Sequence, residues 1–446
     1  MILSKRTYLA NIRSTHTTGG GIIGCTTAYY LTRHPRFDPS DYSITIIEAT
    51  RIANGASGKA GGLLASWAYP NKLAGLSFEL HDQLAKDHDG FERWGYRRVD
   101  CGHLTAVGAK HADHLTEQPS SNSNVQLGKW WDSGHQDSLD LPDDLNWINS
   151  KSVKAYEEIA DAQSTAQVHP LQFTHQMAKL AEQGGAKIVI GTVEQVSCIY
   201  AGSDNPIPLC SIQDPEKTRV VSITYTDKAT STVCTIPATT VVIATGPWTP
   251  MLLPTVRMSP VRAHSVTIKL EEPVSAYCLF TNIDLTEYFE NQPSSNTIPS
   301  STKPVSVEIY PRPNNEVYIC SQGDFDVPLS LPTETVVVSS QSCRQITDAA
   351  FSVSEVLRNG QVTGRRACYL PTMDLEIGAG PLIGPTGIEG IFLATGHSCW
   401  GVSNAPATGM VISEYVFDGE VTCVEVGNLD PRGVLFVESG TTCSGN

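Results

Sequence analysis

Cysteines that could act in pairs are missing from this sequence. Its 12 cysteines lie singly between Cys25 and Cys443, with no CxxC and no Cys/His cluster at zinc spacing. That excludes the common zinc and dithiol motifs and leaves reduced, buried thiols as the expectation. Runs of Lys and Arg are missing as well, and the formal net charge is −15. Such a surface repels a phosphate backbone, so nucleic acid is not an expected partner. No apolar run reaches the length of a membrane span, no Asn-x-Ser/Thr sequon occurs, and "MILSKRTYLANIRSTH" lacks the apolar centre of a signal peptide. The ending "TTCSGN" is no Ser-Lys-Leu address. A cytoplasmic protein acting on small molecules is the expectation. What is present, 446 residues with 40% hydrophobic and 17% charged, suffices for two domains with separate cores.

The stretch "THTTGGGIIGCTTAYYL" contains Gly19, Gly21 and Gly24 in G-x-G-x-x-G spacing, followed by a helical pattern with Ile23, Ala28 and Leu31 on its inner face. Glycine at these places allows a tight turn, lets a pyrophosphate approach the backbone, and brings helix close to strand. After a polar turn, "ITIIEA" reads as a buried strand ending at Glu48, whose carboxylate is placed to accept from a ribose 2′-hydroxyl. One part disagrees. The first strand of a parallel sheet is normally a Val/Ile/Leu run, whereas "IRSTHTT" is polar. Either the sheet tolerates a poor strand or the first 18 or so residues do not belong to the motif; the second reading is favoured here.

Further on, "GASGKAGG" (55–62) crowds glycine and hydroxyl groups into a loop that could wrap a phosphate or a flat ring. "VHPLQFTHQMAKLAEQGGAKIVIGTVEQV" predicts a helix, a Gly-Gly stop and a strand ending near Val193; "TTVVIATGPW" predicts a buried strand. "GIFLATGHSCWGVSNAPATG" predicts a strand, a glycine-flanked turn and a helix beginning near Pro406. "EIYPRPNNEVYICSQGD" alternates, turns at Pro313-Asn314-Asn315 and returns, as antiparallel strands do. Surface loops are expected at "TEQPSSNSN", "YAGSDNPIPLCSIQDPEKTR" and "NQPSSNTIPSSTKP".

Taken in order, these motifs resemble the D-amino-acid oxidase, glycine oxidase and sarcosine oxidase superfamily of FAD-dependent oxidoreductases, and more narrowly a fungal branch of it, from about Gly19 to Asp418. The resemblance implies an α/β fold: a discontinuous Rossmann-like FAD-binding domain (1–75, 151–254, 363–446) and a mainly antiparallel α+β substrate domain (76–150, 255–362). It implies FAD contacts from Gly19, Gly21, Ile22, Ile23, Gly24, Glu48, Ala49, Ser57, Gly58, Gly61, Gly62 and Val193. Thr245, Gly246, Trp248, Cys368, Gly396, His397, Ser398, Trp400 and Gly401 complete that set. The implied reaction is oxidation of a small amine or amino acid by hydride transfer to flavin N5, with oxygen as the acceptor.

Arg366 matches the arginine that grips a substrate carboxylate in the amino-acid oxidases, although a domain-junction salt bridge explains it equally well. Cys399 stands where glycine oxidases have another arginine. Cys368 is a candidate for a covalent flavin link, against the commoner fate of a buried thiol. Tyr310 and Arg312 could face the ring from the substrate sheet, Trp67 and Tyr69 could line the pocket, and His397 reads as a cofactor contact before a base. Two other readings stay open: an NAD(P) dehydrogenase, which the glycine motif alone permits, and a flavin-fold protein that acts by binding other proteins.

Overall fold

The computed structural model describes residues 12–108, 141–286, 304–374 and 380–435. The expected loops at "TEQPSSNSN" and, but for Pro304, "NQPSSNTIPSSTKP" lie outside them, as do residues 1–11.

Three sheets organise the described chain. The first runs β11 (Val233–Pro237), β10 (Thr218–Asp227), β8 (Lys187–Tyr200), β2 (Tyr42–Glu48), β1 (Arg13–Thr18), β12 (Thr240–Ile243), β19 (Ile391–Thr395), β18 (Leu382–Pro385), with β9 (Ile207–Pro208) beside β8. Its centre, from β8 to β19, is parallel. The second runs β17 (Gln361–Leu370), β13 (Val261–Lys269), β16 (Glu316–Ser321), β15 (Val305–Arg312), β14 (Tyr277–Asp284), β5 (Asp100–Val107), β6 (Val153–Ala160). It is antiparallel except between β14 and β5. A small third sheet, β3 (Leu63–Ala65), β7 (Thr165–Gln167) and β4 (Arg97–Arg98), accompanies them. Because β6 and β17 pair within the second sheet, that sheet takes one strand from beyond each of the expected boundaries at 151 and 363.

The polar stretch before the glycines is β1, a central strand paired with both β2 and β12. For residues 13–18 the sheet therefore tolerates the poor strand, contrary to the favoured reading. Part of the cost is met locally: His16 Nε2 lies 2.9 Å from the Pro237 carbonyl and the Thr18 hydroxyl donates to the Val242 carbonyl at 3.3 Å. The Thr17 hydroxyl has no partner among the described residues.

The first helix, Ile22–Leu31, is buried on nearly every side, with Ile22, Cys25, Ala28 and Leu31 in the core and Ile23 partly exposed. The reason is the closing helix, Gly401–Phe417, which packs on it closely enough that the Thr26 hydroxyl donates to the Ala405 carbonyl at 3.0 Å. This closing helix starts five residues earlier than Pro406 suggests. A proline inside a helix leaves the carbonyl four residues back without its donor; here that is Val402, and His81 Nε2 lies 3.0 Å from its oxygen.

The second sheet has two distinct faces, set by strand period two. Val307, Ile309, Val317 and Ile319 join Cys343, Ile346, Ala349, Ala350 and Val353 of helix Ser340–Val353 in one core. Each fully buried aliphatic side chain there contributes about 1.5–3 kcal/mol. Ser306, Glu308, Tyr310, Tyr318, Cys320 and Cys368 line a cavity on the other side, together with the 59–63 loop and the Cys399–Trp400 turn. The turn between β15 and β16 falls at Pro313–Asn315, with Asn314 and Asn315 at φ 62° and 55°, as the alternation predicts.

Candidate active site

A cavity of about 470 Å³ opens at the carboxyl ends of β1, β2 and β12. Among the expected cofactor residues, Gly19, Gly21, Ile22, Ile23, Glu48, Ala49, Ser57, Val193, Thr245, Gly246, Trp248, His397, Ser398 and Gly401 line it. Its geometry follows from the glycine motif. A Cβ on Gly24 would stand 2.0 Å from the Gly19 carbonyl oxygen, so only glycine lets the helix start this close to the end of β1. No side chain of Gly21 caps the helix; the Ser57 hydroxyl accepts from Ile22 N at 2.9 Å, which pins the 55–62 loop against the helix start. Glu48 accepts from Gly20 N at 2.6 Å and from Thr50 N at 2.9 Å, fixing its carboxylate at the cavity wall.

These groups suit FAD. Beside the Ile22 amide that Ser57 holds, the helix start offers the positive end of the helix dipole to a diphosphate. A carboxylate closes the second strand for ribose hydroxyls, and a Cβ built on Gly246 would meet nothing within 4 Å, which leaves open space over the turn.

A second cavity, of about 500 Å³, lies under the second sheet and shares Ala56, Ala60, Leu370, Cys399 and Val402 with the first. Gly61, Gly62, Tyr310, Cys368 and Trp400 line this one. Tyr310 packs so closely on the loop that a Cβ at Gly61 would fall 2.4 Å from its ring. Its hydroxyl donates to Glu308 Oε2 at 2.6 Å, and burial, followed by the Glu308 charge, pushes the phenol well up from its usual range. Arg312 is buried and holds the same loop: its Nε donates to the Gly61 carbonyl at 3.2 Å, and its guanidinium pairs with Glu316 at 2.9 Å. It positions the loop and does not line either cavity.

Other expected residues sit elsewhere. Gly24, Gly58 and Gly396 line neither cavity and serve packing and turns. Arg366 also lines neither. It stands opposite Ser265 on the cavity-side face of β17, two residues from Cys368. Trp67 packs edge-on against Trp400, with ring centroids 5.9 Å apart, and with Tyr69 stays off both walls. His397 is buried, with Nε2 3.1 Å from the Thr408 hydroxyl; burial pulls its pKa down to about 3, so it is neutral at physiological pH. Cys368 is buried beside Lys59, and burial pushes its thiol up to about 11.

Sequence reasoning passed over Glu308, Lys59, Glu157, His103 and Asn282 on the wall of the second cavity. A signal existed for Glu308, which shares the strand face of Tyr310 in "VSVEIYPR".

Fold and site together define a flavin-binding oxidoreductase architecture, a Rossmann-like cofactor sheet facing a second, mainly antiparallel sheet. The model of the FAD dependent oxidoreductase (DAO) family matches residues 18–415, and the chain belongs to that family. FAD is its cofactor, which displaces the nicotinamide reading of the glycine motif. The chain is 32% identical to "Putative oxidoreductase TDA3" of Saccharomyces cerevisiae, over 93% of each chain. It is 31% identical to "Putative oxidoreductase C1F5.03c" of Schizosaccharomyces pombe, over 96% of this chain and 100% of the other. Glycine oxidase from Geobacillus kaustophilus has a similar structure, with a TM-score of 0.63, 17% identity, and coverage of 94% of this chain and 98% of that one. Among the described residues, no group of acidic, His and Cys side chains could hold a metal ion, and no helix is long and apolar enough to cross a membrane.

Proposed function

We propose that the protein oxidises a small amine or amino acid at the carbon bearing the nitrogen, with molecular oxygen taking the electrons afterwards. The observation that carries this reading is the junction of the two cavities at Ala56, Ala60, Leu370, Cys399 and Val402. A small molecule in the second cavity would there meet the ring end of the first. FAD, when bound, supplies the hydride acceptor. The chain's own groups bind and orient. Gly21, Ile22 and Ile23 would face the diphosphate, and Glu48 a ribose. The start of helix Gly401–Phe417 would place positive partial charge beside the pyrimidine end of the ring. Neutral His397 offers a hydrogen bond without competing for the substrate's proton. Tyr310, Tyr318, Phe280 and Trp400 give the second cavity an aromatic part of its wall, against which the carbon skeleton of a small substrate can pack.

The test is anaerobic mixing of the purified yellow protein with a panel of primary and secondary amines and amino acids. Loss of the absorbance near 450 nm, followed by recovery and peroxide formation on admitting air, is the expected result. Flavin that no amine reduces would favour a flavin-fold protein acting through other proteins.

A further inference from the structure

The second cavity holds a carboxyl group that no described side chain pairs with an opposite charge. Glu308 lines this cavity from the face of β15 that also carries Ser306 and Tyr310. Its Oε2 accepts from the Tyr310 hydroxyl at 2.6 Å and the Cys320 thiol at 3.5 Å. Its Oε1 accepts from none of the described residues, and no described Lys, Arg or His forms an ion pair with it. Of the basic side chains, Lys59 reaches this wall, and its Nζ is engaged with the Ala367 carbonyl at 2.9 Å. No described arginine lines the cavity. The remaining polar groups add no positive charge: Glu157 is a second carboxylate, and Asn282 bridges His103 at 3.2 Å and Ser306 at 2.6 Å.

A carboxylate half-buried in a cavity wall loses part of its hydration unless a cation joins it, and that desolvation pushes the Glu308 carboxyl up from its ordinary range. A ligand carrying its own positive charge removes that cost; a ligand carrying a carboxylate adds to it. Two donors on Oε2 hold the group in one orientation and leave Oε1 to a ligand.

We infer that Glu308 is the anchor of the substrate's ammonium group, so that the second cavity selects a protonated amine over a carboxylate. This rests on the amine-oxidation reading for the word substrate, but the binding preference stands on the cavity alone. It also departs from the arginine grip on a carboxylate that the family resemblance implies for Arg366.

The experiment is calorimetric titration of the purified, flavin-loaded protein with propylammonium chloride and, separately, sodium propionate. Hydrogen bonds to charged groups predict that propylammonium binds roughly tenfold or more tightly than propionate. Glu308→Gln, with an unchanged melting temperature, should weaken propylammonium about tenfold to a hundredfold and leave propionate the same or tighter. Propionate binding as tightly as propylammonium in the native protein overturns the inference. So does a folded Glu308→Gln protein with native affinity for propylammonium, or no measurable propylammonium binding. If Glu308→Gln does not fold, the ranking of the two probes in the native protein decides. Propylammonium held through Glu308 while no amine reduces the flavin would overturn the oxidation reading and leave this one standing. Amine-driven reduction with propionate the preferred probe would do the reverse.

Discussion

Replacing Thr17 by Val should stabilise the protein, and the reasoning about the polar first strand stands or falls with the result. Thr17 sits mid-strand between Ile46 of β2 and Val242 of β12, is 0% exposed, and its hydroxyl has no partner among the described residues. A buried polar group without a hydrogen bond costs about 1–3 kcal/mol. Valine has nearly the same shape and carries no such group, so Thr17→Val should gain roughly 1–2 kcal/mol. Thr18→Val is the control: that hydroxyl already donates to the Val242 carbonyl at 3.3 Å, so its loss should bring no gain and cost about 0.5–1.5 kcal/mol. Thermal unfolding of the flavin-loaded proteins reads both. For a cooperative unit of about 150–250 residues, 1 kcal/mol moves the midpoint about 2–4 °C, so Thr17→Val should melt roughly 2–8 °C higher. A midpoint lowered by a similar amount would refute the argument. It would mean that the hydroxyl holds an ordered water inside the sheet, and that the strand's polarity is satisfied.

Gly24→Ala should abolish flavin retention, because its Cβ would lie 2.0 Å from the Gly19 carbonyl oxygen and push the helix start off β1; the ratio of 450 to 280 nm absorbance after desalting measures it. Acid precipitation of the native protein should leave the flavin in the supernatant, since a Cys368 thiol pushed up to about 11 supplies almost no thiolate for a covalent link. A yellow pellet that turns white in Cys368→Ser would overturn this. Stability should also depend on acidity. His397 and His81 have folded-state pKa values depressed to about 3 and about 4 from an ordinary 6.5, so below pH 6.5 the unfolded chain takes up protons that the folded one refuses. The stability they contribute is complete above pH 6.5 and is lost as pH falls towards 4, at up to about 1.4 kcal/mol per pH unit for each histidine. His397→Asn should flatten the melting-temperature profile over that range, and an unchanged slope would contradict the assignment.

The legible parts of this sequence were those where one residue type is dictated by backbone geometry. The spacing of Gly19, Gly21 and Gly24, the acid ending β2 and the Asn-Asn turn after β15 each report a local requirement, and each lies where its pattern says. Pro406 misled because its cost is met from another element: the Val402 carbonyl it leaves unbonded lies 3.0 Å from His81 Nε2, 321 residues away in the chain. β1 misled partly for the same reason, its His16 Nε2 being answered by Pro237, while its Thr17 hydroxyl has no partner among the described residues.

The substrate wall was the least legible. The meaning of Arg366 and Glu308 depends on which cations and anions surround them, and spacing along the chain does not record that. Arg366 stands on the cavity-side face of β17 yet outside the lining, whereas Glu308, one residue among many acids, reaches the wall with an oxygen to spare. A charge balance around each cavity therefore decides between an amine and a carboxylate end for the bound molecule. Among the described residues the second cavity sets Glu308 and Glu157 against a single engaged Lys59, and the inferred preference for an amine rests on that balance.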